Sequence, residues 1–120
     1  MLIAETKEGQ PAGLLTYIPT DDACEILTLH AVEQGQGAGT ALIAAIRAMA
    51  TERAWRHVWL VTTNDNVDAL RFYQRRGFRL AALRPGAVDE ARRTLKPEIP
   101  AVGNYAIPLR DEIELELELA

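Results

Sequence analysis

A chain of 120 residues and 13.3 kDa with 48% hydrophobic and 25% charged residues has the balance of one globular domain, 1–120, too short for two and too apolar for disorder. Its net charge of -4 argues against a general nucleic-acid binder, which carries a strongly basic balance. A single cysteine, Cys24, excludes an internal disulfide and, with two histidines, offers no zinc-ligand spacing, so no metal site and a reducing cytoplasm are expected.

Leu2–Glu5 and Ala12–Ile18 flank the turn-rich TKEGQP, which predicts a hairpin. Glu5 interrupts the N-terminus too early for a signal peptide, and the longest apolar helical run, Ala41–Ile46, is too short to span a bilayer. Neither export nor a membrane partner is expected. After IPTDDA, the run CEILTLHAV reads as a strand over Cys24–Val32, with Glu25, Leu27 and Leu29 on one face and Ile26, Thr28 and His30 on the other. It runs directly into HAVEQGQGAGT, where Gly35, Gly37 and Gly39 alternate.

Thr40–Arg53 follows helical spacing through Leu42, Ile46 and Met49. HVWLVTTN then gives a strand whose Val58–Val61 stretch is continuously apolar, as for a strand covered on both faces. Strand, helix and strand make a crossover, so the two strands are expected to be parallel neighbours. A second helix is predicted over Val67–Arg76, with Asn64 and Asn66 as capping candidates and Gly77 as its end.

FRLAAL predicts a further strand and VDEARRTL a short helix; Lys96–Pro108, with three prolines and Gly103, reads as a loop. DEIELELELA closes the chain as an alternating strand with one buried face, a pattern that also suits an acidic rim for a cationic acceptor or an edge pairing across a homodimer. Seven arginines between Arg71 and Arg93 balance the acids after Glu98, as solvated surfaces, a mutually attracting pair or a phosphate patch. The fold class is α/β or α+β with a mixed sheet.

Glycine in a first helical turn costs stability, so three of them ask for a reason. Unpaired N–H groups and the positive end of the helix dipole favour an anion there, and glycines clear the approach of a phosphate. A P-loop needs Gly-Lys-Ser/Thr, but Thr40 and Ala41 follow Gly39. A dinucleotide fingerprint needs G-x-G-x-x-G/A; Gly35 to Thr40 ends in threonine, and Asp65 lies late for a ribose carboxylate. A dinucleotide-binding oxidoreductase fragment is therefore a weak competitor.

Gln34-Gly35-Gln36-Gly37-Ala38-Gly39 matches the Q/R-x-x-G-x-G/A signature in full, and NVDALRFYQRRGF matches N..A..FYeklGF at Asn66, Ala69, Phe72, Tyr73, Gly77 and Phe78. On these two motifs the chain resembles the GNAT acetyltransferase superfamily over nearly its whole length. The resemblance implies a mixed β-sheet, flanked by helices, with a splayed parallel central pair at Glu25–Val32 and Val58–Thr63. It implies acetyl-CoA as cosubstrate, with Leu27 and Leu29 offering backbone to its arm. Gln34, Gly35, Gln36, Gly37, Ala38, Gly39 and Thr40 would hold its pyrophosphate, and Asn66 would bind the arm.

Tyr73 matches the family's frequent proton donor to sulfur, and Asn66 and Tyr73, seven apart, share one helical stripe. Glu25 is the favoured base for an acceptor amine, ahead of His30, which this parity sends to the opposite face. Relatives normally begin with another strand and helices, so an N-terminally shortened form is expected, with the Lys96–Arg110 loop or a partner chain walling the acceptor site. Direct N-acetyl transfer to an amine of a small molecule or protein is the implied activity. The rival is a non-catalytic acyl-CoA-binding module.

Overall fold

A computed structural model describes residues 1–5, 9–31 and 37–119. Six strands and three α-helices follow one another as β1 (Leu2–Glu5), β2 (Pro11–Pro19), β3 (Ala23–Ala31), α1 (Ala38–Glu52), β4 (His57–Thr63), α2 (Val67–Arg75), β5 (Arg79–Arg84), α3 (Ala87–Thr94) and β6 (Glu112–Glu118). The strands form one mixed sheet in the order β1-β2-β3-β4-β6-β5. β6 is thus an interior strand, which corrects the reading of the C-terminal repeat as an edge; the edges are β1 and β5. No helix among the described residues is long and apolar enough to cross a membrane.

The chain divides into two compact parts, Met1–Leu60 with Leu117–Ala120, and Val61–Glu116. In the first, β1 pairs antiparallel with β2 and β2 with β3, and α1 packs on all three strands. Leu42, Ile43, Ile46 and Ala50 form the buried stripe of α1, opposite Leu15, Cys24 and Ile26 of the sheet. Full burial of a side chain such as Ile46 or Leu15 contributes roughly 1.5–3 kcal/mol. Gly13 brings strand and helix close, because a Cβ there would sit 3.1 Å from Leu42 Cδ1 and 3.2 Å from Ala38 Cβ. Past α1, Trp55 is buried beside Tyr17, edge to face at 6.4 Å.

The β2–β3 ladder contains an irregularity with consequences for every residue beyond it. Tyr17 faces Ile26 but Thr16 faces Thr28, so Leu27 is an extra residue on β3, a β-bulge. Opposed residues share a face of the sheet. Leu29 lies opposite the buried Leu15 and therefore joins Ile26 on the α1 side, whereas Thr28 and His30 pair with Thr16 and Leu14 on the face of Glu25. The predicted parity is corrected accordingly: Leu29 is not on Glu25's face, and His30 is.

In the second part β5 and β6 pair antiparallel, and a second bulge leaves Ala81 unpaired, since Leu80 faces Leu115 and Ala82 faces Glu114. Arg84 reaches across to Glu114 at 2.6 Å and Glu112 at 3.2 Å, one case of arginine and acidic runs attracting each other. The segment after α3 has only a short 3-10 turn, Asn104–Ala106, and side chains hold it instead of strands. Arg92 donates to the carbonyls of Ile99, Pro100 and Leu109 and to Asp89. Asn64, expected to cap α2, accepts from the amides of Arg110 and Asp111 and donates to Pro108 O.

Candidate active site

In the first part the chain leaves β3 and enters α1 through the glycine segment, of which Gln34, Gly35 and Gln36 lie outside the described residues. Gly37 occupies the cap position with φ 79° and ψ 2°, a left-handed conformation that costs a residue with a Cβ roughly 1–2 kcal/mol. Its carbonyl takes the first intrahelical bond, from Ala41 N at 2.9 Å. Gly37 offers no side-chain cap, and the first turn of α1 contains no acid to offset the positive end of the dipole. A Cβ at Gly37 would meet none of the described residues within 4 Å. Ala38 and Gly39 are buried, and Thr40 is exposed.

Upstream, the parallel ladder between β3 and β4 comprises Ala23–His57, Cys24–Val58 and Glu25–Trp59, although both strands continue beyond it. Glu25, half-buried, stands at the last of these pairs. Leu27 follows in the bulge, 50% exposed, and Leu29 is half-buried. Cys24 is fully buried, and desolvation pushes its thiol up to about 11, so it is a poor nucleophile.

In the second part α2 carries both predicted residues. Asn66 caps it, its Oδ1 accepting from Ala69 N at 3.2 Å while its Nδ2 donates to Thr62 Oγ1 at 3.2 Å. A carboxamide has two N–H donors, so one remains for a ligand. Tyr73 lies on the same helix, 7% exposed, with its ring edge to face against Phe72 at 5.1 Å and Phe78 at 5.2 Å. Burial pushes its phenol up to about 12, so it keeps its proton at any physiological pH. Phe72 in turn is covered by the Arg76 guanidinium 3.7 Å from its ring centre.

Residues 1–78 match the profile described as the Acetyltransferase (GNAT) family. The chain belongs to this family. Uncharacterized protein YxbD of Bacillus subtilis (strain 168) is 47% identical to this GNAT chain over 112 residues, which are 93% of the chain and 70% of that protein. The fold superposes on a GNAT family acetyltransferase from Elizabethkingia anophelis with acetyl-CoA bound, at TM-score 0.80 and 22% identity, covering 98% of this chain and 74% of that one. A Bacillus subtilis acetyltransferase in complex with CoA gives TM-score 0.77 at 24% identity, covering 92% and 71%. The mixed sheet flanked by helices is the GNAT architecture expected from the two motifs.

Within the first part, a helix start behind a left-handed glycine with no acid in its first turn fits an anionic group such as the pyrophosphate of an acyl-CoA; within the second part, Asn66 keeps an amide donor beyond its contact with Thr62. Asp65, weighed in the sequence as a ribose ligand, is committed elsewhere, since both its oxygens accept from protein donors, Thr63 Oγ1 and Asn104 N. The sequence offered Asn64 as a helix cap and Asp65 as a ribose ligand and did not single out Arg92; it missed that all three hold the segment after α3. Their only local signal was polar side chains beside a helix end and within a short helix, and their partners lie as far as 47 residues away in the chain.

Proposed function

We propose that this GNAT chain transfers an acetyl group from acetyl-CoA to an amine of a small molecule or protein by direct attack on the thioester. The observation that carries this reading is the start of α1, where Gly37 adopts a left-handed conformation and the first helical turn contains no acid. The amides of that turn, with Gln34–Gln36 before it and Ala38, Gly39 and Thr40 after it, would hold the pyrophosphate. The backbone of Leu27 and Leu29, past the end of the parallel ladder, would pair with the arm as an added strand does. The free N–H of Asn66 would complete the grip.

Acetyl-CoA supplies the activated acyl group; the chain's residues manage the protons. An amine reaches the site as an ammonium and needs a base before it has a lone pair. Glu25, half-buried at the last β3–β4 pair, is proposed to take that proton, directly or through water. Tyr73 is proposed to donate to the sulfur as the carbon–sulfur bond breaks, and its raised pKa guarantees that the proton is present.

The burial of Tyr73 in an aromatic cluster favours a second reading, an acyl-CoA-binding module in which the phenol is structural. Release of free thiol from acetyl-CoA with a broad amine panel separates the two. Turnover that falls roughly 10²–10⁴-fold in Tyr73→Phe supports proton donation to sulfur. Tight binding of acetyl-CoA without turnover on any amine supports the module.

A further inference from the structure

Among the described residues Asp65 is the only buried charged one, 5% exposed. A carboxylate so placed costs several kcal/mol unless its oxygens are satisfied. Oδ1 accepts from the Thr63 hydroxyl and Oδ2 from the Asn104 amide at 2.9 Å. The first contact ties the end of β4 to the leading turn of α2, in which Asn66 N donates to Thr63 O at 3.1 Å and Val67 N to Asp65 O at 2.9 Å. The second contact ties that same turn to a loop 39 residues later.

The loop tip does not relax into its shape unaided. Tyr105 and Ala106 both have left-handed backbones, φ 60° and 59°, an unfavourable state for residues with a Cβ. The tip closes on itself through Gly103 N to Ile107 O at 2.8 Å and Ile107 N to Asn104 O at 3.1 Å, with Val102 bridged to Pro108. Two contacts hold it from outside, Asn104 on Asp65 and the Tyr105 hydroxyl on the Asp68 carboxylate at 2.8 Å. Tyr105 is 66% exposed, so its bond competes with water, and the buried Asp65 is the stronger hold. The fit is tight, because any Cβ at Gly103 would overlap Asp65 Oδ2 and Cγ.

We infer that Asp65 is a positioning residue: its buried carboxylate fastens the Gly103–Ala106 tip to the leading turn of α2 and thereby fixes the aim of the neighbouring Asn66 carboxamide toward coenzyme A. The link to coenzyme A rests on the role proposed above for Asn66. A merely structural Asp65 would lower stability without a selective effect on cofactor affinity. Asp65→Ala removes both acceptors, and Gly103→Ala drives a methyl group into the same contact from the other side.

The test measures hydrogen exchange of the Asn104 amide and the affinity for coenzyme A in the full chain, with a thermal melt of each variant to confirm folding. Asp65→Ala and Gly103→Ala should each speed Asn104 exchange and weaken coenzyme A binding about tenfold, a change of roughly 1.4 kcal/mol. In the Asp65→Ala background the carboxyl group is gone and only the Cβ, 3.0 Å from a Cβ at Gly103, remains, so adding Gly103→Ala should change the affinity by less than about twofold. Tyr105→Phe, which removes the outer contact alone, should leave affinity within about twofold.

Unchanged Asn104 exchange in Asp65→Ala overturns the fastening, and faster exchange with unchanged affinity overturns the link to Asn66. Wild-type protein that does not bind coenzyme A overturns the cofactor reading instead, while the exchange measurement still decides whether Asp65 fastens the tip.

Discussion

The Thr16 and Thr28 hydroxyls are hydrogen-bonded at 2.7 Å across the β2–β3 ladder, immediately past the bulge at Leu27. That contact places Thr28 on the face of Glu25 and, by alternation, His30 with it. A Thr16→Cys/Thr28→Cys variant should therefore close a disulfide under mild oxidation. Thr16→Cys/Leu27→Cys should not, because Leu27 has no partner in the register. Intact mass with and without reductant reads the outcome, and a disulfide in the second pair alone would restore the unbroken alternation.

Gly37 combines a left-handed backbone with a Cβ position that none of the described residues approaches within 4 Å. Gly37→Val should thus leave the protein folded, with a loss of about 1–2 kcal/mol from backbone strain. It should also abolish the thermal stabilisation by coenzyme A, which for the wild type at about 100 times its dissociation constant is roughly 2.7 kcal/mol. Differential scanning fluorimetry measures both effects. An unchanged coenzyme A shift would remove the pyrophosphate from the mouth of α1.

The pH dependence of stability should expose the Tyr73 phenol. Its pKa rises from 10.0 to about 12 on folding because burial penalises the phenolate, so the unfolded chain loses that proton first. Stability is then fully present below about pH 10 and falls as pH climbs through the folded value near 12, by about 3 kcal/mol in all. Cys24, raised from 9.0 to about 11, adds a similar loss in a lower window. Chemical denaturation of wild type and Tyr73→Phe between pH 8 and about pH 11 should show the two curves diverging only above pH 10, since Cys24 is common to both.

Arg92 satisfies three carbonyls of the segment between α3 and β6 with one guanidinium, Ile99 at 2.9 Å, Pro100 at 2.8 Å and Leu109 at 2.7 Å. A lysine cannot reproduce that fork. Arg92→Lys should cost about 2–3 kcal/mol, given the charged donors lost and the carbonyls left short of partners. Proteinase K should then cut first within residues 96–110. A cleavage pattern identical to that of the wild type would show that Asn64 and Asp65 hold the segment without it.

The sequence determined by itself most of the secondary structure and the order of its elements. Apolar spacing marked α1, the run Val58–Val61 marked β4, and Asn66 and Gly77 bracketed α2, because these signals are local and repeat at the period of the element. The two motifs also identified the family through residue types whose spacing needs no tertiary knowledge. Only the tertiary structure decided which face each β3 residue occupies. One extra residue at Leu27 reverses the alternation, and a bulge is a property of the pairing between two strands, invisible in either alone. It also decided the use of Asn64, Asp65 and Arg92: an irregular loop cannot satisfy its own backbone polar groups, so donors and acceptors are drawn from elements distant in the chain.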